Sequence, residues 1–308
     1  MDLLAGDDEL ARRFEERRAH LRSVAYRMLG SLSEADDAVQ ETWLRLGRTG
    51  ADGIDNLSGW LTTVVSRVCL DMLRSRAARR EEPYGHEAPE EAGPVEGRAP
   101  EEEALLAESV GVALLVVLGT LSPLERVAFV LHDLFAVPFD RIAAVVDRSQ
   151  PAAKKLASRA RHKVRGAPAA SGAELERHRG IVEAFLAAAR GGDLGALLEV
   201  LAPDVVRRAD PAALPAGVPA ELRGARAVAE GTVALRHRAR FAAVALVDGR
   251  VGAVVAPHGR LLFALAIAVR DDRIASYEVI AAPERLRLLP LAVLDVPGAD
   301  AAVIPPKR

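Results

Sequence analysis

The chain of 308 residues has one cysteine, Cys69, and few aromatic residues: two tryptophans, three tyrosines and seven phenylalanines. A single cysteine excludes an intramolecular disulfide and any cysteine-rich zinc site; Cys69 sits in an apolar helical run and reads as core. With so few aromatics, Ala, Val and Leu must fill the cores. The longest apolar run, "SVGVALLVVLG" at 109–119, is too short to span a bilayer. The first twenty residues, "MDLLAGDDELARRFEERRAH", are charged and contain no signal-peptide core. These absences point to a cytoplasmic chain without a membrane partner, and no metal or other cofactor site is legible. The formal net charge of −2 says little about partners. The distribution of the charge says more.

What is present is a basic helix. "DRSQPAAKKLASRARHKVRG" at 147–166 carries seven Lys or Arg residues and no acid after Asp147. Ser149 can cap its first turn, where Pro151 removes no needed N–H. Ala153, Leu156, Ala157, Ala160 and Val164 recur on one face. Lys154, Lys155, Ser158, Arg159, Arg161 and Arg165 fall largely on the other. Upstream, Phe139, Ile142, Ala143 and Val146 repeat the spacing after Pro138. Two short amphipathic helices with a tight "VDRS" turn make a helix-turn-helix pattern. Its second helix suits the major groove of duplex DNA. The turn lacks the usual glycine, so Asp147 must take the left-handed conformation, which Asp tolerates better than most residues. A helical hairpin with a solvated basic face is the plain alternative.

A length of 308 residues predicts two or three domains. Residues 8–80 read as helices. In "SLSEADDAVQETWLRL", Ser33 is the expected cap, with Glu34, Asp36 and Asp37 in the first turn. Ala38, Val39, Thr42, Trp43 and Leu46 form the packing face. A loop precedes the helix "LSGWLTTVVSRVCLDMLRSRAARR", which ends in a cluster of Arg74, Arg76, Arg79 and Arg80. Residues 81–103 are acidic and rich in Pro and Gly, and read as a linker. Helices resume over 104–166, with a capping box at Ser122-Pro123-Leu124-Glu125. A second short linker follows. From 174 to 290 two helices, a strand, a helical stretch near 219–238 and antiparallel runs separated by "DGR", "PHGR" and "RDDR" turns predict an α+β domain. A short helix closes it at "PERLRLL". The hairpins should form a curved sheet enclosing an apolar cavity lined by Phe241, Val244, Leu246, Phe263, Leu265, Ile267 and Tyr277.

The stretches "SVAYRMLGSLSEADDAVQETWLRL", "SGWLTTVVSRVCLDMLRSRAARR" and "LSPLERVAFVLHDLFAVPFDRIAAVVDRSQPAAKKLASRARHKV" occur in the order found in the extracytoplasmic-function (ECF) sigma factors of bacterial RNA polymerase, which residues 8–166 resemble. The C-terminal part resembles a SnoaL-like cone domain. The resemblance implies a multidomain chain: two all-α sigma domains, the second with the helix-turn-helix, then an α+β cone. It implies a factor that directs RNA polymerase to specific promoters. Region two (8–80) would bind the polymerase core through Asp36, Asp37, Gln40, Glu41 and Trp43. It would read the melted minus-ten element through Asn56, Ser58, Trp60, Thr63, Arg67 and Arg74. An aromatic beside basic and hydroxyl groups suits unstacked bases, although Trp60 can equally be core. Region four (104–166) would read the minus-thirty-five duplex through Gln150, Lys154, Lys155, Ser158, Arg159 and Arg161. Two motifs tied to regulation in this subgroup are missing: "EEPYGHEAPEE" stands where a "WLPEP"-type motif is expected, and "ADPAALPAG" where a "DGGGK"-type motif is expected.

Two other functions compete. A ligand-responsive helix-turn-helix regulator would explain the basic helix and the cone, but not the Trp43 helix or residues 57–80. A SnoaL-like cyclase or isomerase fusion needs a tuned acid and an oxyanion donor. Asp204, Asp210, His237, His258, Tyr277 and Glu278 are its candidates, and their spacing forms no recognisable set. The expectation is a chain that is not an enzyme, whose C-terminal domain regulates the sigma modules and is a candidate to sense a small apolar ligand.

Overall fold

The computed structural model describes residues 2–50, 53–81, 111–214 and 217–294. Apart from Glu81, the expected acidic linker lies outside the described residues, as does the tail after 296. The chain forms two compact units. Among described residues, the first holds 2–81 and 121–161, and the second holds 111–120 and 162–294.

The first unit is helical. Helices α1 (Asp2–Leu29), α2 (Leu32–Thr49) and α3 (Leu57–Glu81) pack together. Their core takes Phe14, Leu21, Val24 and Met28 from α1, Ala35, Ala38, Val39 and Leu46 from α2, and Leu61, Val65, Val68 and Cys69 from α3, all buried. Cys69 is fully enclosed, and burial pushes its thiol up to about 12. Gly30, at φ 74°, ends α1 in the left-handed region and leaves Ser31 extended. Ser31, not Ser33, is therefore the cap of α2: its hydroxyl accepts the Glu34 N–H at 3.5 Å. The shift keeps Glu34 in the first turn and places Asp36 and Asp37 beyond it.

The remainder of this unit is α5 (Pro123–Phe129), a π-helical turn (Val130–Leu134), α6 (Phe139–Val146) and most of α7 (Gln150–Arg165). The Glu125 carboxylate accepts from the Ser122 backbone N–H at 3.1 Å and from its hydroxyl at 2.8 Å, which closes the expected capping box. Between α6 and α7, Asp147 adopts φ 55°, ψ 55° and its N–H reaches Ala143 O. The glycine-free turn thus takes the left-handed form that its sequence requires. On α7, Ala153, Ala157, Ala160 and Val164 are buried while Lys154, Lys155, Ser158 and Arg159 are exposed.

The second unit is α+β. Helix α4 (Val112–Thr120) belongs to it, and Leu114 to Leu118 are buried without interruption. Helices α8 (Gly172–Gly191) and α9 (Leu194–Val200) lead into β1 (Leu201–Ala209). Then follow β2 (Glu221–Arg223), α10 (Ala225–Ala234), α11 (Arg236–Ala239), β3 (Ala242–Val247), β4 (Arg250–Val255), β5 (Phe263–Arg270), β6 (Arg273–Ile280), α12 (Pro283–Leu288) and β7 (Leu291–Ala292). The sheet order is β2-β1-β6-β5-β4-β3-β7, with β1 and β6 parallel and the other pairs antiparallel. Asp248 and Gly249 join β3 to β4, and Asp271 and Asp272 join β5 to β6. All four have positive φ, the geometry whose twist matches a two-residue hairpin. The strand β2 interrupts a stretch whose sequence predicts helix, because Leu222 pairs with Arg207 on β1. Helix α8 lies against β3 and β4, and α4 against β3 and β7.

The Asp147 turn gives a direct test. Asp147→Gly should leave stability unchanged or raise it. Asp147→Val, which forces a β-branched residue into the left-handed region, should lower it by about 1–2 kcal/mol in chemical denaturation.

Candidate functional site

The first surface is the outward face of α2. Asp37, Gln40 and Leu44 are exposed and follow one another at helical spacing. Leu44 is 47% exposed and was not expected here. The signal was available, since it is an apolar residue four positions after Gln40 and off the packing stripe. Three expected members of the site are held by neighbours. Asp36 pairs with Arg22 at 2.9 Å. Glu41 pairs with Arg45 at 2.9 Å. Trp43 is partly buried and its ring lies 5.0 Å from that of Phe14.

The second surface is the N-terminal half of α3. Asn56 caps the helix, its Oδ1 accepting the Gly59 N–H at 2.8 Å. Thr63 donates to Gly59 O at 2.9 Å. Trp60 is half-buried, so it is neither a core residue nor a free one. Asn56, Ser58 and Thr63 line a cavity of about 320 Å³ that is closed on its other side by Phe135, Pro138, Arg141 and Val145. Arg67 donates to Ala144 O on α6 at 2.8 Å. A Cβ added at Gly59 would collide with the Arg141 guanidinium. The face expected to meet single-stranded DNA is thus turned toward the first helix of the helix-turn-helix. Arg74 stands apart, exposed and 4.0 Å from Asp71. In the arginine cluster at the end of α3, Arg76 is bound to Glu34 and to Leu29 O. The side chains of Arg79 and Arg80 lie outside the described ones.

The third surface is α7. Gln150, Lys154, Lys155, Ser158 and Arg159 are exposed on one side of it. Lys154 lies 5.9 Å from the Phe139 ring. Arg161 differs from these five. Its Nε and Nη2 reach both oxygens of Asp133 at 2.6 and 3.2 Å. This two-pronged pair ties α7 to the π-helical turn. One exposed face of α7 therefore carries two lysines, one arginine and two neutral hydrogen-bonding residues.

In the second unit, of the candidate catalytic groups whose side chains are described, only Tyr277 lines the cavity. Asp204 pairs with Arg270 at 2.9 Å on the surface, and hydrogen bonding to that guanidinium lowers its pKa. Asp210 accepts from the Ala281 and Ala282 N–H groups, each at 3.0 Å, and from Arg285 at 2.6 Å. Burial raises its pKa, but these bonds outweigh burial and leave it lowered. It fixes the corner between β6 and α12. Glu278 pairs with the same Arg285 at 2.8 Å. His237 is exposed, and the side chain of His258 lies outside the described ones. Tyr277 is buried, with its hydroxyl 2.9 Å from Thr232 Oγ1.

Tyr277 lines a cavity of about 80 Å³ with Phe185, Phe263 and Leu265. Of the expected lining, Phe263, Leu265 and Tyr277 are there, and Phe241, Val244, Leu246 and Ile267 are not. Leu246 and Ile267 are buried in the domain core instead. Arg207 also lines the cavity and was not anticipated. It follows an apolar pair in β1, where period-two alternation places it inward and Arg208 outward. Among the described residues, no three potential ligand side chains cluster as a metal site would require, and no helix is long and apolar enough to cross a membrane.

Comparison with known proteins defines the class. Residues 13–79 match the Sigma-70 region 2 family model and residues 111–164 match the Sigma-70 region 4 model. The two helical modules are thus those of a promoter-recognising transcription initiation factor. The chain is 40% identical over 292 residues to the ECF RNA polymerase sigma factor SigJ of Mycobacterium tuberculosis, covering 90% of this chain and 93% of that protein. It is 35% identical over 286 residues to the probable ECF RNA polymerase sigma factor SigI of the same species, covering 91% and 95%. The crystal structure of the former matches with 34% identity over 89% of this chain and 97% of that one, at a TM-score of 0.44. The chain belongs to the ECF RNA polymerase sigma factors. It acts in promoter-specific initiation of transcription by RNA polymerase, and its helical sigma modules are followed by an α+β domain.

The two kinds of basic residue on α7 should separate in experiment. Replacing Lys154, Lys155 or Arg159 with Ala should reduce the salt slope of promoter binding by about 1 for each phosphate no longer neutralised, with little change in stability. Arg161→Ala should instead lower stability by about 1 kcal/mol through the freed Asp133. A thermal melt beside a salt titration distinguishes them.

Proposed function

We propose that region two (8–80) binds the polymerase core through the α2 face and the melted minus-ten strand through α3. Region four (104–166) reads the minus-thirty-five duplex through α7, with the acidic linker 81–103 between them. The domain at 174–290 regulates the two modules. In this reading the chain works in the cytoplasm, is not an enzyme, and carries in its last domain a cavity for a small apolar ligand. The absence of convergence among Asp204, Asp210, His237 and Glu278 supports sensing over catalysis.

One observation carries the regulatory reading. The region-four match runs from 111 to 164, yet its first helix, α4, lies on β3 and β7 of the C-terminal sheet. Its last turn is bound to the same sheet, where the Val293 N–H donates to Val164 O at 2.9 Å. Region four therefore shares its packing with the domain that follows it, and a change in that sheet acts on α7 directly. In the first unit, the Arg67 bond to Ala144 O holds α3 and α6 together over the minus-ten face. This supports a resting form in which α6 must move before single-stranded DNA can enter.

Two measurements test the reading. Asp37→Arg, at an exposed position, should weaken binding of core polymerase at least tenfold without loss of stability. Asp36→Arg is the less clean variant, because it also breaks the Arg22 pair. Full assembly of holoenzyme by the Asp37 variant would remove the α2 assignment. Ala292→Arg puts a charge where β7 meets residues 164–166. If circular dichroism shows that variant folded, its promoter affinity in holoenzyme should change several-fold while its affinity for core polymerase does not. Unchanged promoter affinity would show that the sheet does not act on region four.

A further inference from the structure

We propose that the cavity of the C-terminal domain takes a small apolar monoanion, a short-chain carboxylate, with Arg207 as its counter-charge. The proposal rests on the reading of that domain as a ligand-responsive regulator and specifies the chemistry of what it senses.

On β1, Arg207 and Arg208 are neighbours that point to opposite faces. Arg208 faces solvent and pairs with Glu221 at 3.0 Å. Arg207 faces inward and is only 5% exposed. Its register partners are Leu222 on β2 and Tyr277 on β6, neither of which carries a charge to meet it. A guanidinium has five N–H donors. Among the described residues, that of Arg207 meets one acceptor, Pro219 O at 2.9 Å, and no carboxylate. Burying a cation without an anion is costly, and buried charges are ordinarily paired. The strand thus pairs the arginine that water would have solvated and leaves the enclosed one without an anion.

The other polar groups of the cavity do not supply that anion. Thr232 donates to Val228 O at 2.8 Å, so the 2.9 Å bond between Thr232 and Tyr277 carries the Tyr277 proton. Burial pushes the Tyr277 phenol up, which keeps it neutral beside Arg207. Arg238 adds a second guanidinium to the lining and donates to Ala213 O at 2.7 Å. Among the described residues no Asp or Glu lines the cavity, and the remaining wall is apolar. The nearby acid Asp210 is fully engaged by Ala281, Ala282 and Arg285. A pocket with cations, no acids and a hydrocarbon wall selects a ligand with one anionic end and an apolar body. Multiply charged phosphates do not fit such a wall. The cavity, of about 80 Å³, limits the body to a small one.

The full-length protein should be titrated at pH 7 with sodium isobutyrate, with isobutyramide as the neutral isostere and with inorganic phosphate, by ligand-observed NMR. Isobutyrate should bind at least tenfold more tightly than the amide, and phosphate should not bind. Arg207→Met should remove the preference for the acid. Since loss of Arg207 can also disturb the strand, Phe263→Trp, which fills the cavity, is the second variant and should bind neither isostere. If amide and acid bind equally, or if Arg207→Met retains the acid preference, the anion assignment is overturned while a neutral apolar ligand stands. If neither isostere binds, the cavity has no such ligand; the coupling of the sheet to region four is still judged by Ala292→Arg.

Discussion

Helix α4 has no polar side. Five consecutive residues, Leu114 to Leu118, are buried, so the helix must be covered all round. An amphipathic helix can pack along one stripe and leave the other to water. This one cannot, and β3 and β7 supply part of its cover. Because α4 opens region four, that module does not close its own core. The last turn of α7 is bound to the same sheet, where the Val293 N–H donates to Val164 O. Removing the sheet would expose this apolar helix, α4, to water.

The two surfaces proposed to meet DNA differ physically. On α7 the cations Lys154, Lys155 and Arg159 stand in solvent, where neutralising phosphates releases counterions and gives affinity that depends on salt. On α3 the candidate groups are few and mostly uncharged, and Asn56, Ser58 and Thr63 line a cavity shared with α6. Such a surface gains little from long-range attraction and depends on access. In the proposed function, contacts such as that of Arg67 with Ala144 O set that access. In that reading, an exposed basic helix and a sheltered face suit a factor that engages DNA in two steps.

Much of this was legible in the sequence. Helical spacing marked α1 to α3 and α5 to α7. The Asp147 turn was forced by the absence of glycine between two amphipathic runs, and the turns at Asp248 and Asp271 were marked by their residues. What escaped reading was pairing over distance. Arg161 looks like any other cation of α7 until Asp133, 28 residues earlier, is brought beside it by the π-helical turn. Arg76 likewise belongs to Glu34 rather than to a DNA-facing cluster. The cap of α2 moved from Ser33 to Ser31 because Gly30 ends the preceding helix sooner than the acidic run suggests. Three of the seven expected lining residues meet the cavity: alternation tells which strand residues point inward, but not whether they meet a cavity or a packed core. Nor did it show that β1 would lie parallel to β6, which is what brings Arg207 beside Tyr277.

The single cysteine has a consequence for what this factor can respond to. Reaction with peroxide, disulfides or electrophiles proceeds through the thiolate. Cys69 is wholly enclosed in the α1–α3 core, and its thiol is pushed up to about 12. Oxidants that switch other regulators through a surface thiol find no handle on Cys69. Burial thus withholds the one sulfhydryl of the chain from thiol chemistry in the folded state.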